Sequence, residues 1–228
     1  MTPIETAILK LDARLKDLPF KSAFIGGSVL SLLVTGPAAD AIRITKDVDV
    51  LMDIRTRRDY HQLDQILEQI GFKHDLREDA PVCRWIYEDV TIDVLPIRED
   101  VLGWNSRWFE MALDEALTIK CDDHPIRIVS APYFVALKLE AFEERGKHDF
   151  FTSTDFEDVI CLFNGRENIV EEIAACRNLR NVLSTKFSEY LTNRDLEDAI
   201  DGFVQTEDNP ASRKKTILSR FRSVAALT

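Results

Sequence analysis

The sequence has no apolar run long enough to cross a membrane. A spanning helix needs about 18 or more consecutive apolar residues, and every hydrophobic stretch of the 228-residue chain is interrupted earlier by charged residues, glycines or hydroxyl side chains. The first residues, Met1 to Glu5, also lack the basic and apolar segments of a secretory signal. We therefore expect a cytoplasmic protein with no membrane partner.

Closely spaced metal-binding cysteines and histidines are absent as well. The four cysteines contain no C-x-x-C pair, and the four histidines are scattered along the chain. A structural zinc site needs such ligands near one another, so none is predicted. Widely separated cysteines are typical of free thiols in a reducing compartment.

Positive charge is in deficit, since the formal net charge is −11. Binding along a nucleic-acid backbone needs clustered lysines and arginines, so the net charge argues against an extensive nucleic-acid footprint. Two local basic segments remain, around Arg55, Arg57 and Arg58 and within residues 211–228. They are either solvated helix charges or a small RNA-binding surface.

Hydrophobic periodicity predicts a mixed sheet with helices on it over residues 1–130. The predicted elements are helices over Ile4–Leu18, from Ser28 to about Val34 and over Arg57–Ile70, and strands over Ser22–Ile25, Ile42–Met52, Val82–Tyr87, Val90–Ile97, Ala116–Lys120 and Pro125–Val129. Glu88 and Asp89 have the spacing of a hairpin turn between the third and fourth of these strands.

From Ala131 the pattern is helical, so we predict two domains, 1–130 and 131–228. A capping box is predicted with Thr154 as the N-cap and Glu157 as its partner. The chain after Pro210 is predicted to form a short helix that frays. The other predicted helices cover Pro132 to about Arg145, Ile169–Arg177, Val182–Leu191 and Asp195–Val204.

Three aspartates on two predicted strands carry the chemistry. Because strand side chains alternate between faces, Asp47 and Asp49 point to the same side of their strand. If the strand over Val90–Ile97 lies beside it, Asp93 joins them. Carboxylates held this close raise one another's pKa unless a cation lies between them.

A divalent cation is therefore predicted at Asp47, Asp49 and Asp93. Mg²⁺ prefers such hard oxygen ligands and completes its shell with water and phosphate oxygens; Mn²⁺ is the alternative ion. Three carboxylates can hold two metals about 3.5–4 Å apart, the arrangement that aligns the attacking and leaving oxygens in nucleotidyl transfer.

A glycine turn supplies the predicted phosphate site. Gly26, Gly27 and Ser28 lie between the end of a strand and the start of a helix. Glycines there let backbone N–H groups approach a phosphate closely. The Ser28 hydroxyl either caps the helix or donates to the same phosphate.

Lys138 is the unusual residue of the helical region. It lies four residues from both Phe134 and Phe142, on a mostly apolar helix face. A lysine in this setting either extends along the aromatic rings to water or reaches an anionic ligand.

The order Gly-Gly-Ser, Asp47-x-Asp49 and a later Asp93 resembles the polymerase-beta-like nucleotidyltransferase superfamily. The 18 residues between Ser28 and Asp47, together with the Arg43-x-Thr45-x-Asp47-x-Asp49 motif, are similar to the AbiEii/AbiGii-type toxin nucleotidyltransferases. A second similarity to that family is Lys138 followed by Arg145 and then Asp155-x-x-Asp158.

The resemblance implies an α+β fold with a nucleotidyltransferase-type mixed β-sheet flanked by helices and followed by a C-terminal helical lobe. It implies nucleotide-binding roles for Arg43, Thr45, Lys138, Asp155 and Asp158. In that family the lysine is associated with the triphosphate and the acid with the catalytic centre. Which of Asp155 and Asp158 corresponds to that acid stays open.

The predicted activity is a Mg²⁺-dependent transfer of a nucleoside monophosphate from an NTP to an acceptor, with Asp93 helping to deprotonate that acceptor. The resemblance further implies the toxin of a toxin–antitoxin pair, acting on RNA such as tRNA and held by an antitoxin partner. Two alternatives remain: a small-molecule (antibiotic) nucleotidyltransferase, and a non-catalytic nucleotide-binding module.

Overall fold

The computed structural model describes residues 1–36, 42–43, 45, 47–103, 106–146, 148–204 and 208–227. The chain divides into two compact units. We call Met1–Val29 with Ile44–Ser130 the sheet unit, and Leu30–Arg43 with Ala131–Thr228 the helical unit. Each unit is described by itself.

The sheet unit contains a mixed sheet and the helices packed on it. Its strands are β1 (Ser22–Ile25), β2 (Asp47–Met52), β3 (Lys73–His74), β4 (Arg84–Tyr87), β5 (Val90–Pro96), β6 (Leu117–Cys121) and β7 (His124–Ile128). Its helices are α1 (Pro3–Leu15), a 3₁₀ turn at Gly27–Val29, α3 (Arg57–Gln69), α4 (Glu99–Leu102) and α5 (Phe109–Asp114). Among the described residues, the strand order is β3-β4-β5-β2-β1-β7-β6.

Strand β2 lies at the centre of the sheet, parallel to β5 and antiparallel to β1. Its alternation is as predicted: Val48 and Val50 are fully buried, and Asp47 and Asp49, which alternate with them, are half-buried. Helix α1, capped by Thr2 and Glu5, packs on β2 and β7. The apolar face of the sheet therefore fixes which side the aspartates occupy.

The predicted bounds of β2 were too wide at the start. The strand begins at Asp47, and Ile42, Arg43 and Thr45 lie outside it; residues 44 and 46 lie outside the described residues. Among the described residues, the pairing of β2 with β1 begins at Asp49, opposite Ile25, and its pairing with β5 begins at Asp47, opposite Thr91. A strand extends only where a neighbouring strand supplies hydrogen-bond partners, so the described residues before Asp47 are not part of β2.

The helical unit consists of helices packed around aromatic side chains. They are α2 (Leu30–Leu33), α6 (Ala131–Glu144), α7 (Thr154–Gly165), α8 (Ile169–Ala175), α9 (Arg180–Tyr190), α10 (Leu196–Val204) and α11 (Pro210–Ala225). Phe163 and Phe187 both contact Phe221, with ring centroids 4.7 Å and 4.6 Å from it.

Two predictions for this unit were wrong. The N-cap of α7 is Ser153, whose hydroxyl accepts a hydrogen bond from the Phe156 N–H; Thr154 is already helical, so Glu157 lies one position beyond the capping partner. The chain after Pro210 forms the 16-residue helix α11, which is longer than the short helix predicted, and its Phe221 is fully buried.

Two predicted absences concern membranes and disulfides. None of the helices in the described part of the chain is both long and apolar enough to span a bilayer. All four cysteines are free thiols: Cys83, Cys121 and Cys161 are buried and Cys176 is half-buried.

Candidate functional site

The three predicted aspartates lie on one face of the sheet. In the parallel pair of β2 and β5, Asp49 is directly opposite Asp93, and Asp47 is opposite Thr91. Residues that face one another across paired strands point to the same side. Asp93 is buried with 8% of its surface exposed, whereas the Asp47 side chain is 42% exposed. The acids thus form a row that runs from the core to solvent.

Arg84 lies within this row of acids. It is directly opposite Asp93 in the antiparallel pair of β4 and β5. Its Nε and Nη2 donate to the two carboxylate oxygens of Asp93 at 2.8 Å and 2.7 Å, and Nη2 also donates to Asp47 Oδ2 at 3.0 Å. Hydrogen bonding to Asp93 raises the pKa of Arg84, so its guanidinium remains charged. Arg84 thus joins the outer and the buried acid.

Gly26 lies at the other side of Asp49. It follows Ile25, the β1 residue paired with Asp49, and has a φ of +70°. An ideal Cβ on Gly26 would overlap Asp49 Oδ2 and lie 2.8 Å from Asp49 Cγ. The backbone conformation therefore favours glycine, and a Cβ at this position would force the Asp49 carboxylate to move.

The turn continues as a 3₁₀ helix from Gly27 to Val29. The N–H groups of Gly27 and Ser28 open this turn, so no carbonyl within it can accept from them. The Ser28 hydroxyl donates to the Ile25 carbonyl at 3.0 Å and is 1% exposed. The hydroxyl proton of Ser28 is therefore donated within the turn. The contact predicted between this hydroxyl and a phosphate stays a prediction.

The donor set fits a divalent cation in its chemistry. Asp47, Asp49 and Asp93 supply hard oxygen ligands from adjoining strands, as Mg²⁺ requires. Among the described residues, no three acidic, histidine or cysteine side chains are gathered as a metal-holding group. Arg84 holds two of the three acids. Ion binding therefore needs these side chains to rearrange.

A second charged cluster lies in the helical unit, where α6 faces α7. Lys138 is 8% exposed, and its ammonium group lies 3.0 Å from Asp155 Oδ1 and 2.6 Å from Asp158 Oδ2. It also lies 5.9 Å from the centre of the Phe134 ring. Two outcomes were predicted for Lys138: extension along the aromatic rings to water, or contact with an anionic ligand. In the structure its anionic partners are protein side chains, so neither prediction describes it fully.

Two arginines extend this cluster. Arg145 donates to Asp155 through Nε and Nη2 at 2.8 Å and 2.9 Å. Arg43 approaches Asp158 at 3.5 Å and Glu157 at 3.9 Å. The residues of the later predicted motif are thus brought together, with Arg43 among them. Thr45 lies in the sheet unit, half-buried and two residues before β2.

Burial and charge oppose each other in this cluster. Burial would raise the pKa of Asp155, but the hydrogen bond from Arg145 and the charge of Lys138 outweigh it and lower that pKa. Burial would lower the pKa of Lys138, but the charges of Asp158 and Asp155 raise it. Both partners therefore stay ionised at neutral pH.

Sequence reasoning missed Arg84, although the signal was present. The predicted turn at Glu88 and Asp89 pairs Tyr87 with Val90, as observed. Counting three residues outward on each strand reaches Arg84 opposite Asp93. A cation directly across from a proposed metal ligand was therefore predictable from the hairpin register.

Comparison with known proteins gives a likeness in fold. No protein-family profile matches the chain. No curated protein matches it either. Among solved structures, the chain is similar to the crystal structure of an antigenic nucleotidyltransferase-like protein from Paracoccidioides brasiliensis. The TM-score is 0.52 and the identity 18%, over 93% of this chain and 92% of that one.

At this identity the likeness establishes the fold alone. The chain has an α+β fold with a mixed sheet flanked by helices, similar to the fold of that nucleotidyltransferase-like protein, which confirms the predicted fold class.

Proposed function

We propose that this protein is a metal-dependent nucleotidyltransferase that moves a nucleoside monophosphate from an NTP to an acceptor and releases pyrophosphate. The observation that carries the proposal is the strand register that sets Asp49 beside Asp93, with Asp47 on the same face and the Gly26 turn against Asp49. The nucleotidyltransferase-like fold agrees with it.

Asp47, Asp49 and Asp93 would hold Mg²⁺ or Mn²⁺, whose charge would offset the negative charge that develops on the transferring phosphate. Asp93, the most buried of the three, would take the proton from the acceptor hydroxyl.

The Gly26 turn would position the phosphates. Without a side chain on Gly26, a phosphate can approach the backbone beside Asp49. The N–H groups of Gly27 and Ser28 are the donors for it. Nucleotide-binding roles for Arg43, Thr45, Lys138, Asp155 and Asp158 stay proposals, based on the motif resemblance.

The acceptor we propose is RNA, with tRNA as the example, in a toxin held by a cognate antitoxin. This rests on the Arg43-x-Thr45-x-Asp47-x-Asp49 pattern and on the later lysine and acids. The basic segments offer limited free charge for RNA, because Arg55 pairs with Asp53 and Glu110, and Lys214 pairs with Asp201. A compact acceptor end therefore suits the protein better than a long duplex.

The test is nucleotide transfer in vitro. The purified protein is incubated with each α-³²P-labelled NTP and Mg²⁺, in the presence of total tRNA, of aminoglycosides or of neither. We expect labelled tRNA from the intact protein. Asp49→Asn should lower the rate on the order of 10²–10³-fold, because a carboxylate ligand is lost.

Asp53→Asn is the matched control, because Asp53 follows β2 directly and pairs with Arg55 outside the row of acids. It should keep its activity. Label on aminoglycosides alone would replace RNA with a small-molecule acceptor, and NTP binding without any transfer would indicate a binding module. Growth arrest on expression that persists with Asp49→Asn would contradict metal-dependent nucleotidyl transfer as the cause of toxicity.

A further inference from the structure

We propose that Arg84 is the built-in counter-cation of the acid cluster, and that a divalent cation binds only by displacing it. This rests on the proposed function, because it concerns the same three carboxylates. In addition to the proposed function, Arg84 would set the affinity of these carboxylates for a divalent cation.

The contacts of Arg84 support this role. Its guanidinium engages both oxygens of Asp93 and reaches Asp47 with the same Nη2. A planar guanidinium suits such bidentate binding of a carboxylate. One side chain thus neutralises an inner and an outer acid of the cluster.

Its burial makes the competition strong. The Arg84 side chain is 21% exposed and the Asp93 side chain 11%. Charges shielded from water interact more strongly than charges on an open surface. A divalent ion at these carboxylates would lie close to a guanidinium of the same sign, so both cannot occupy the cluster at low cost.

The strand register fixes the backbone of Arg84 near the acids, but it does not fix the position of the guanidinium group. Its Cα is opposite that of Asp93 on β4, and the side chain contains several rotatable bonds. The guanidinium can therefore swing away from the cluster while the strands remain paired. The cost of that movement would appear directly as weaker metal binding.

The experiment measures Mn²⁺ affinity by isothermal titration calorimetry, without nucleotide, for the intact protein and Arg84→Gln. We expect the variant to bind Mn²⁺ about tenfold more tightly, since a competing charge is removed. Mn²⁺ should also raise the melting temperature of the variant more than that of the intact protein. Unchanged or weaker binding by Arg84→Gln would overturn the proposal.

Arg55→Gln is the matched control, because Arg55 also bridges two carboxylates of the sheet unit, those of Asp53 and Glu110. Its Mn²⁺ affinity should equal that of the intact protein. Arg84→Lys is the second variant, for use if Arg84→Gln does not fold without metal. Lysine keeps the charge but not the two-pronged contact, so an intermediate affinity is expected, and an unchanged one counts against the proposal.

Asp49→Asn separates this proposal from the one on which it rests. If the intact protein binds Mn²⁺ and Asp49→Asn does not, the metal site stands, and the Arg84 variants decide the displacement question. If neither the intact protein nor any Arg84 variant binds Mn²⁺, the metal site and the displacement both fail.

Discussion

Gly26 and Asp49 lie so close together that the glycine has no room for a side chain. An ideal Cβ would overlap Asp49 Oδ2, and the φ of +70° is one that other residues rarely adopt. The Asp49 carboxylate therefore occupies the space that a Cβ on residue 26 would need. Its position depends on a glycine in the turn.

Gly26→Ala should accordingly damage the site more than the fold. The strained backbone should lower the free energy of unfolding by more than about 1 kcal/mol. The displaced Asp49 carboxylate should lower nucleotidyl transfer on the order of 100-fold, since small displacements of this kind are costly. Pyrophosphate release and urea unfolding measure the two effects.

Gly71→Ala separates strain from displacement. Gly71 also has a positive φ, +99°, but a Cβ there would lie 3.7 Å from Tyr87 Cε2, an ordinary contact. This variant should lose a similar amount of stability and keep its activity. Equal activity losses in the two variants would mean that general destabilisation, and not the position of Asp49, explains the effect.

The face of the sheet that carries the acids was predictable, because strand alternation depends only on sequence. Val48 and Val50 identify the buried side of β2, and the aspartates must then lie on the other. The start of β2 was not predictable in the same way, since it depends on where β1 and β5 stop pairing. The two-residue strand β3 is too short to have a pattern.

The partners of Lys138 could not be predicted from hydrophobic periodicity, because they depend on how two helices pack. The sequence places this lysine on an apolar helix face, and the spacing of Asp155 and Asp158 puts both on one side of another helix. Whether α6 and α7 turn these faces toward each other is a property of tertiary packing. The serine cap of α7 was missed because the adjacent Thr154 offered an equally suitable hydroxyl.

Asp155→Asn should destabilise the protein in a pH-dependent way. Removing one partner of a buried ion pair costs about 3 kcal/mol. Because the folded protein lowers the pKa of Asp155, the stabilisation is complete above the ordinary Asp pKa of about 3.9 and is lost as the pH falls through the lowered pKa. The difference in unfolding free energy should therefore be largest near neutral pH and shrink below about pH 4.

Urea unfolding at a series of pH values measures this difference. Asp201→Asn is the control, because Asp201 pairs with Lys214 on the surface of the same unit and is 55% exposed. It should cost less than about 1 kcal/mol. A pH-independent loss in Asp155→Asn would show that lost packing, and not charge, is responsible.

The N-terminus of α7 offers a test in adjacent residues. Ser153→Ala removes the hydroxyl that accepts from the Phe156 N–H and should cost about 1 kcal/mol. Thr154→Ala lies at the first helical position and should stay within about 0.5 kcal/mol. Thermal or urea unfolding of the two variants compares them directly. The reverse order of losses would restore Thr154 as the cap.

Helix α11 is part of the core of the helical unit, and Phe221 is the residue that tests this. Its ring packs against Phe163 and Phe187 and is fully buried. Phe221→Ala should therefore lower the free energy of unfolding by about 3–5 kcal/mol, through lost transfer energy and the cavity left behind. Ser219→Ala, at an exposed position of the same helix, should change it by less than about 0.5 kcal/mol. If urea unfolding gave similar small losses for both variants, the helix would be peripheral, and the frayed end predicted from the sequence would describe the protein better.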